Sequence, residues 1–187
     1  MTAVIEDASF AFRRIAPSSL NAAIPAVVGL AVFVWLLWTQ AILNDPDTFW
    51  HLKAGEWMID HRSVPDADPF SHTFAAQPWT AHEWLSEVLM AAVKRAAGWN
   101  GLMIATALAA AASFFILGRF AARSLSGVGL LLMLLVCCAL ASSHLLARPH
   151  VFVLPVLCLW ATHLAGARAD HHAPPLWLCL VMLVWAN

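Results

Sequence analysis

The chain has 187 residues, of which 61% are hydrophobic and 11% are charged. A soluble domain has about 45–50% apolar and about 25% charged residues, so the composition excludes a soluble globular protein and predicts one that lies in lipid. The formal net charge of -1 excludes the concentrated basic surface that nucleic-acid binding requires. We therefore expect the lipid bilayer, and no nucleic acid, as a partner.

Apolar segments follow one another along the chain, separated by its few charged residues. A helix needs about 20 apolar residues to cross about 30 Å of hydrocarbon. The first segment is too long for a secretory signal, whose apolar region has about 7 to 15 residues. The sequence predicts an all-α fold, a polytopic bundle of transmembrane helices in one domain. The predicted spans cover residues 22–43, 84–97, 102–120, 125–146, 151–165 and 176–187.

The last predicted span, residues 176–187, has only about a dozen apolar residues, too few to cross a bilayer. We therefore expect the chain to be part of a longer polytopic protein. Arg13 and Arg14 precede the first span and predict a cytoplasmic N-terminus by the positive-inside rule. Residues 44–83 then form an extracytoplasmic loop.

The segment 84–97 has two possible interpretations. It is short, contains Glu87 and ends in Lys94 and Arg95, so it is either a short span or a helix lying on the membrane surface. Counting basic residues gives five on each side of the membrane in both cases, so the positive-inside rule does not decide between them.

The loop begins with a stretch that is typical of an interfacial helix. Tryptophan prefers the headgroup layer, so such a helix would lie along the membrane surface. Its apolar residues share one face at helical spacing, and its charged residues share the other. The apolar face carries Trp50, Ala54, Trp57 and Met58, and the charged face carries Lys53, Glu56 and Asp60.

Two carboxylates, Asp45 and Asp47, stand where the first span meets this surface helix. Such a pair could bind a divalent cation, for which Mg²⁺ or Mn²⁺ is expected, or one member could act as a general base toward a hydroxyl acceptor. Asp45 followed by Pro46 is also typical of a helix N-cap with proline in the first turn. Spacing alone favours capping over catalysis.

A second polar pair, His82 and Glu83, leads into the next apolar segment and would form a site if it converged with the aspartates. The alternative is a capping box in which Thr80 caps the helix and Glu83 follows three residues later. Between these motifs, Asp68 precedes a proline and is predicted to form a turn.

One arginine, Arg148, interrupts apolar sequence in the second half of the chain. It is either an interface residue whose charged end reaches the headgroups or a contact for phosphate. Its side of the membrane depends on whether 84–97 crosses. Only a surface-lying 84–97 puts Arg148 directly on the same side of the membrane as Asp45.

These motifs resemble a known family of bacterial membrane proteins. They comprise Asp45-Pro-Asp, Trp50-His-Leu, Pro65-Asp-Ala-Asp-Pro-Phe-Ser, Pro78-Trp-Thr-Ala-His-Glu-Trp-Leu and Gly98-Trp-Asn-Gly-Leu. Together they are similar to the N-terminal part of GT-C glycosyltransferases over about residues 44–102, while the later helices match only in general character.

The resemblance implies a bacterial inner-membrane enzyme whose first outward loop carries an acidic motif, here Asp45 and Asp47. It implies a sugar donor linked to a polyprenyl phosphate and an extracytoplasmic acceptor, with His82 and Glu83 lining the acceptor pocket. It also favours a spanning 84–97 segment, which moves Arg148 to the cytoplasmic side and leaves it out of the predicted catalytic set.

The alternative function is a non-catalytic polytopic protein, such as a transporter subunit or an assembly partner whose acidic loop binds another protein. A transporter is expected to carry ionisable residues or broken helices at mid-membrane. The spans beyond Trp84 are nearly free of charge, which modestly favours the transferase.

Overall fold

The computed structural model describes residues 19–39 and 41–185. Within them the chain is all-α, as predicted, apart from one isolated β-bridge between Ala67 and Pro78. The basic pair Arg13 and Arg14, on which the predicted orientation rests, lies outside the described residues. The helices are α1 (Ser19–Thr39), α2 (Asp47–His61), α3 (Trp84–Ala121), α4 (Gly127–Ala141), α5 (Pro149–Ala169) and α6 (Trp177–Trp185).

Four of the helical segments are long and apolar enough to cross a bilayer: Asn21–Thr39, Trp84–Ala121, Gly127–His144 and Pro149–Ala169. Apolar side chains also point away from the protein, as they do on a lipid-facing surface. Trp38 is 86% exposed and Leu140 is 75% exposed. The protein is therefore a helical membrane protein, as its composition predicts.

Helix α3 is bent at Gly98, whose backbone has φ 65° and ψ -162°. A positive φ is accessible to glycine because it has no Cβ. The bend divides α3 into an N-terminal arm (84–97) and a C-terminal arm (99–121). At about 1.5 Å per residue the arms are roughly 21 Å and roughly 35 Å long, so only the C-terminal arm matches the thickness of the hydrocarbon core.

The core of the bundle lies between α1, the C-terminal arm of α3 and α4. Val32 and Leu36 of α1 are buried in one apolar cluster with Ala107 and Phe114 of α3. Small residues bring these two helices close together, since a Cβ at Gly29 would lie 3.1 Å from the carbonyl oxygen of Ala111. Close approach through small residues is the usual way in which helices associate in membranes.

The N-terminal arm of α3 packs against α2. Ala54 and Met58, two members of the predicted apolar face, are buried there, whereas Trp50 stays 39% exposed. Gly55 lies at the closest approach, because a Cβ on it would overlap the carbonyl oxygen of Glu87. The absence of a side chain at Gly55 thus allows the two helices to touch through their backbones.

The predicted capping box of Thr80 and Glu83 is wrong. Helix α3 begins at Trp84, with Glu83 in the N-cap position and no side-chain capping hydrogen bond. Glu83 is therefore too close to the helix start to be the third helical residue that a capping box needs. Its side chain is turned toward α2 instead.

Candidate functional site

Asp45 lies between a short 3-10 turn, Ala41–Leu43, and α2. Its side chain is almost fully buried, and its Oδ1 accepts a hydrogen bond of 3.1 Å from the backbone N–H of Asp47. The N-cap position of α2 belongs to Pro46, one residue later than predicted, and it makes no side-chain capping bond. Asp45 instead forms an Asx turn just before the helix. A buried carboxylate also requires a positive partner.

Arg148 is that partner. It precedes α5 and follows Asp45 by 103 residues. Its Nε donates to Oδ2 of Asp45, and its Nη2 donates to Oδ1 of Asp45 at 2.8 Å. The same Nη2 lies 2.7 Å from Oδ2 of Asp47. One guanidinium therefore bridges both predicted carboxylates, in the fork geometry that suits arginine.

Two hydrogen bonds of the neighbouring residue Ala147 hold Arg148 in this place. The N–H of Ala147 donates to the carbonyl of Ile42 at 2.7 Å, and Oγ1 of Thr48 donates to the carbonyl of Ala147 at 3.0 Å. The segment before α5 is thus fixed between the end of α1 and the start of α2. Arg148, which the family resemblance excludes from the predicted catalytic set, lies at the centre of the site.

The contact between Arg148 and Asp45 favours the surface-lying interpretation of residues 84–97. It brings the connection between α4 and α5 to the same end of the bundle as the start of α2. This placement is expected when residues 84–97 do not cross the membrane. The N-terminal arm, at roughly 21 Å, is also too short to cross the hydrocarbon core.

The electrostatics of the pair follow from its geometry. Hydrogen bonding to Arg148 is the largest influence on Asp45 and holds its carboxyl pKa below the ordinary value of 3.8, against the opposing effect of burial. The hydrogen bond to Asp45 in turn raises the already high pKa of Arg148, with smaller contributions from the charges of Asp47 and Glu83. Both groups are charged at neutral pH.

A second cluster, formed by His51, Glu83 and Glu87, lies beside this pair. Nδ1 of His51 is 2.8 Å from Oε1 of Glu87 and 3.9 Å from Oε2 of Glu83. Glu87 is 2% exposed, while the side chain of Glu83 is 36% exposed. The close contact at Gly55 positions this cluster, because it brings the α2 turn that carries His51 onto Glu87.

The structure thus brings two of the four predicted site residues, Asp45 and Asp47, onto Arg148, and it places a third, Glu83, in the neighbouring cluster with His51. The fourth, His82, is exposed, and its ring Nδ1 lies 3.3 Å from the carbonyl oxygen of Thr80. Within the described residues it is His51, and not His82, that contacts the carboxylates. His51 and Glu87 share no sequence motif, and each becomes part of a site only through the packing of α2 on α3.

The predicted cation on Asp45 and Asp47 would compete with Arg148. Both carboxylate oxygens of Asp45 accept hydrogen bonds from the guanidinium, which also contacts Asp47. The positive charge that a metal ion would supply is already present. A cation on this pair stays a prediction, and it would have to displace Arg148.

A small aromatic cleft of about 240 Å³ opens beside the start of α2. Trp50 and Trp79 form its walls, with ring centroids 5.3 Å apart, and Phe70 packs edge-on against both. Asp68 lies at its rim and forms the predicted turn, since its Oδ1 accepts the N–H groups of Phe70 and Ser71. A hydrogen bond from the side chain of Ser71 is the largest influence that lowers the pKa of Asp68, followed by the backbone N–H groups of Phe70 and Ser71.

Comparison with known proteins identifies no relative of this chain. No family model matches it, and neither curated proteins nor solved structures give a significant match.

Proposed function

We propose that the protein is a GT-C-like glycosyltransferase, or part of one, that transfers a sugar from a polyprenyl phosphate to a hydroxyl acceptor outside the bacterial inner membrane. The observation that carries this proposal is the arginine bridging two carboxylates at one end of an apolar bundle. Arginine binds phosphate through a planar fork of N–H donors, and a lipid-linked phosphate reaches this end of the bundle from the bilayer.

In the proposed reaction, Arg148 binds the phosphate of the donor through Nη1, the guanidinium nitrogen that contacts neither aspartate, and Asp47 acts as the general base. The acceptor oxygen attacks the anomeric carbon of the sugar, and its proton passes to Asp47. The bond between the anomeric carbon and the phosphate oxygen breaks, and its electron pair leaves with the polyprenyl phosphate. Arg148 stabilises the charge that develops on that phosphate.

The exposure of these side chains suits the proposed roles. Asp47 has a side chain that is 53% exposed, and that of Arg148 is 36% exposed, so both are open to a substrate. Asp45 is buried, and its role is to position Arg148. The aromatic cleft of Trp50 and Trp79 is open beside them and offers the apolar walls that are usual in a binding site.

The first test is binding of undecaprenyl phosphate by the purified protein in detergent, followed by native mass spectrometry. Loss of Arg148 alone would leave Asp45 buried without a partner, so the test uses the double variant Asp45→Asn/Arg148→Gln, which removes both charges. We expect the wild type to bind the lipid and the double variant to lose it. The single variant Asp45→Asn keeps Arg148 but weakens its positioning, so it should bind the lipid more weakly than the wild type and more strongly than the double variant.

The second test measures sugar transfer in membranes that are supplied with polyprenyl-linked donors. Asp47→Asn is expected to abolish transfer without changing the amount of folded protein, while Asp66→Asn, at an exposed loop position, should leave transfer unchanged. Full transfer by Asp47→Asn would refute the role of the base. Failure of the wild type to bind the lipid would favour the non-catalytic alternative.

The orientation in the membrane is tested by single-cysteine labelling in a background that lacks the four native cysteines. Cysteines placed at Thr73, Ala96 and His144 should all react with an impermeant reagent from outside the cell, and one at Ser126 should not, since each of these positions is exposed. Labelling at Thr73 but not at Ala96 would show that residues 84–97 cross the membrane.

A further inference from the structure

The most unusual polar atom in the described part of the chain is Oε2 of Glu87. It is buried and has no hydrogen-bond partner, while the other oxygen of the same carboxylate contacts His51. Buried polar atoms are nearly always paired, and an unpaired one calls for a bound water or ion. A buried carboxylate oxygen without a partner is especially costly because the group carries charge.

The side chains around Glu87 are of the types that bind metal ions, and their spacing suits a bound cation. Ligand atoms of His51, Glu83 and Glu87 all lie within 4.8 Å of one another. A cation held at about 2.0–2.2 Å from each of three such atoms separates them by roughly 3–4 Å. The distance of 3.9 Å from His51 to Glu83 already falls in this range, and the 2.8 Å from His51 to Glu87 needs only a small expansion.

We infer that His51, Glu83 and Glu87 form a binding site for a divalent transition-metal cation, Zn²⁺ or Mn²⁺. One neutral imidazole and two carboxylates carry a charge of about -2, which such a cation neutralises. The imidazole nitrogen favours these ions over Mg²⁺ and Ca²⁺, which prefer sites made only of oxygen. The cation replaces the hydrogen bond between His51 and Glu87 and gives the unpaired Oε2 of Glu87 a partner.

The site is open on one side. Two ligands, His51 and Glu87, are buried, whereas the side chain of Glu83 is 36% exposed. Three protein ligands with one accessible position are the arrangement of metal sites that bind a further ligand, in contrast to closed structural sites with four. The accessible position is therefore on the side of Glu83.

This inference does not rest on the proposed transferase activity, because cation binding is measured directly. The protein is purified in detergent, stripped with a chelator and titrated with Mn²⁺. The electron paramagnetic resonance signal of the free ion reports how much remains unbound. We expect one Mn²⁺ per chain, displaced by Zn²⁺ but not by equal concentrations of Mg²⁺ or Ca²⁺.

Single substitutions test which residues bind the cation. Glu87→Gln keeps the size and one hydrogen bond of the side chain, and Glu83→Gln changes a partly exposed residue that is expected to leave folding intact. Each should weaken Mn²⁺ binding by at least about tenfold. Asp47→Asn is the matched control, since it removes a nearby carboxylate that belongs to the other cluster, and it should retain the wild-type affinity.

Several results would overturn the inference. These are the absence of Mn²⁺ and Zn²⁺ binding by the folded wild type, unchanged affinity in Glu83→Gln, or equal displacement by Mg²⁺. Binding that is lost in Asp47→Asn but kept in Glu83→Gln would instead assign the cation to the aspartate pair. Because lipid binding and transfer are measured separately, failure of the metal site and failure of the proposed function give different results.

Discussion

The two ends of the helix bundle differ in what their basic residues contact. At one end, called here the site end, Arg148, Lys94 and Arg95 each contact carboxylates from distant parts of the chain. At the opposite end, Arg119 and Arg123 are exposed and line an open cleft of about 790 Å³ between α1, α3 and α5. The guanidinium of Arg123 lies over the ring of Phe120, 5.5 Å from its centroid.

The two ends illustrate two roles that basic residues have in membrane proteins. Exposed arginines at the ends of apolar helices suit the headgroup layer and help to set orientation. Basic residues that are paired with buried carboxylates instead fix tertiary structure, and removing one partner leaves an uncompensated charge. We therefore expect substitution of Arg148, whose partner Asp45 is buried, to be costly, and substitution of an exposed arginine at the opposite end to be tolerated.

The largest effect is expected for Arg148→Gln. It leaves the buried carboxylate of Asp45 without its partner, which should cost about 3 kcal/mol of unfolding free energy. Thermal unfolding in detergent measures the loss. Arg123→Gln, at the opposite end, is the matched control and should change stability by less than about 0.5 kcal/mol.

The double variant Asp45→Asn/Arg148→Gln sharpens this test. Because it removes the buried charge together with its partner, it should be more stable than Arg148→Gln alone. If the double variant is less stable than either single variant, the two residues do not act as a pair, and the contrast between the two ends of the bundle would fail.

The next effect concerns Gly55, where α2 touches the N-terminal arm of α3. Gly55→Ala places a methyl group against the carbonyl of Glu87 and should destabilise the protein by about 1–3 kcal/mol. Gly129→Ala, in α4, meets nothing within 4 Å and should be neutral or slightly stabilising, because alanine favours helix. Equal effects of the two substitutions on the unfolding temperature would contradict the close packing of α2 on α3.

The response to pH follows from the lowered pKa of Asp45. The carboxyl of Asp45 has a lower pKa in the folded protein than in the unfolded protein, where the pKa is near 3.8. Its charge therefore stabilises the fold when the pH is above the unfolded-state pKa, and this contribution is lost as the pH falls through the folded-state pKa. The difference in unfolding temperature between the wild type and Asp45→Asn should therefore be constant near neutral pH and shrink below about pH 4. A difference that does not change down to pH 2 would mean that Asp45 is not charged in the folded protein.

Local patterns in the sequence predict the helices and the turn at Asp68. Apolar length identifies α1, α4 and α5, and the spacing of Ala54 and Met58 identifies the buried face of α2. These properties depend on neighbouring residues alone, so a single sequence carries them. The same patterns also predict that Asp45 serves the start of α2.

The centre of the site could not be predicted in this way. Arg148 is separated from Asp45 by 103 residues, and its position depends on which segments cross the membrane, a question that charge counting left undecided. The gap between the predicted segments 84–97 and 102–120 contains Gly98, where α3 bends, but the sequence does not tell how the two arms are placed. His51 and Glu87 meet only because Gly55 allows close backbone contact, and that contact has no sequence signature of its own.

The smallest effect is expected for the ion pair between Glu56 of α2 and Lys94 of the N-terminal arm of α3. Nζ of Lys94 lies 2.8 Å from Oε1 of Glu56, and both side chains are about one quarter exposed. A double-mutant cycle with Glu56→Gln and Lys94→Gln should give a coupling energy of about 0.5 kcal/mol, as for other solvent-accessible pairs.

The salt dependence of this coupling energy shows whether the N-terminal arm of α3 lies in water or in the membrane. In water at the membrane surface, raising the ionic strength from about 0.05 M to about 0.5 M should reduce the coupling by roughly half, because mobile ions screen exposed charges. Inside hydrocarbon the same pair would be strongly coupled and insensitive to salt. A coupling above about 2 kcal/mol that salt does not change would place residues 84–97 within the membrane and remove the shared surface on which α2, Glu83 and Arg148 meet.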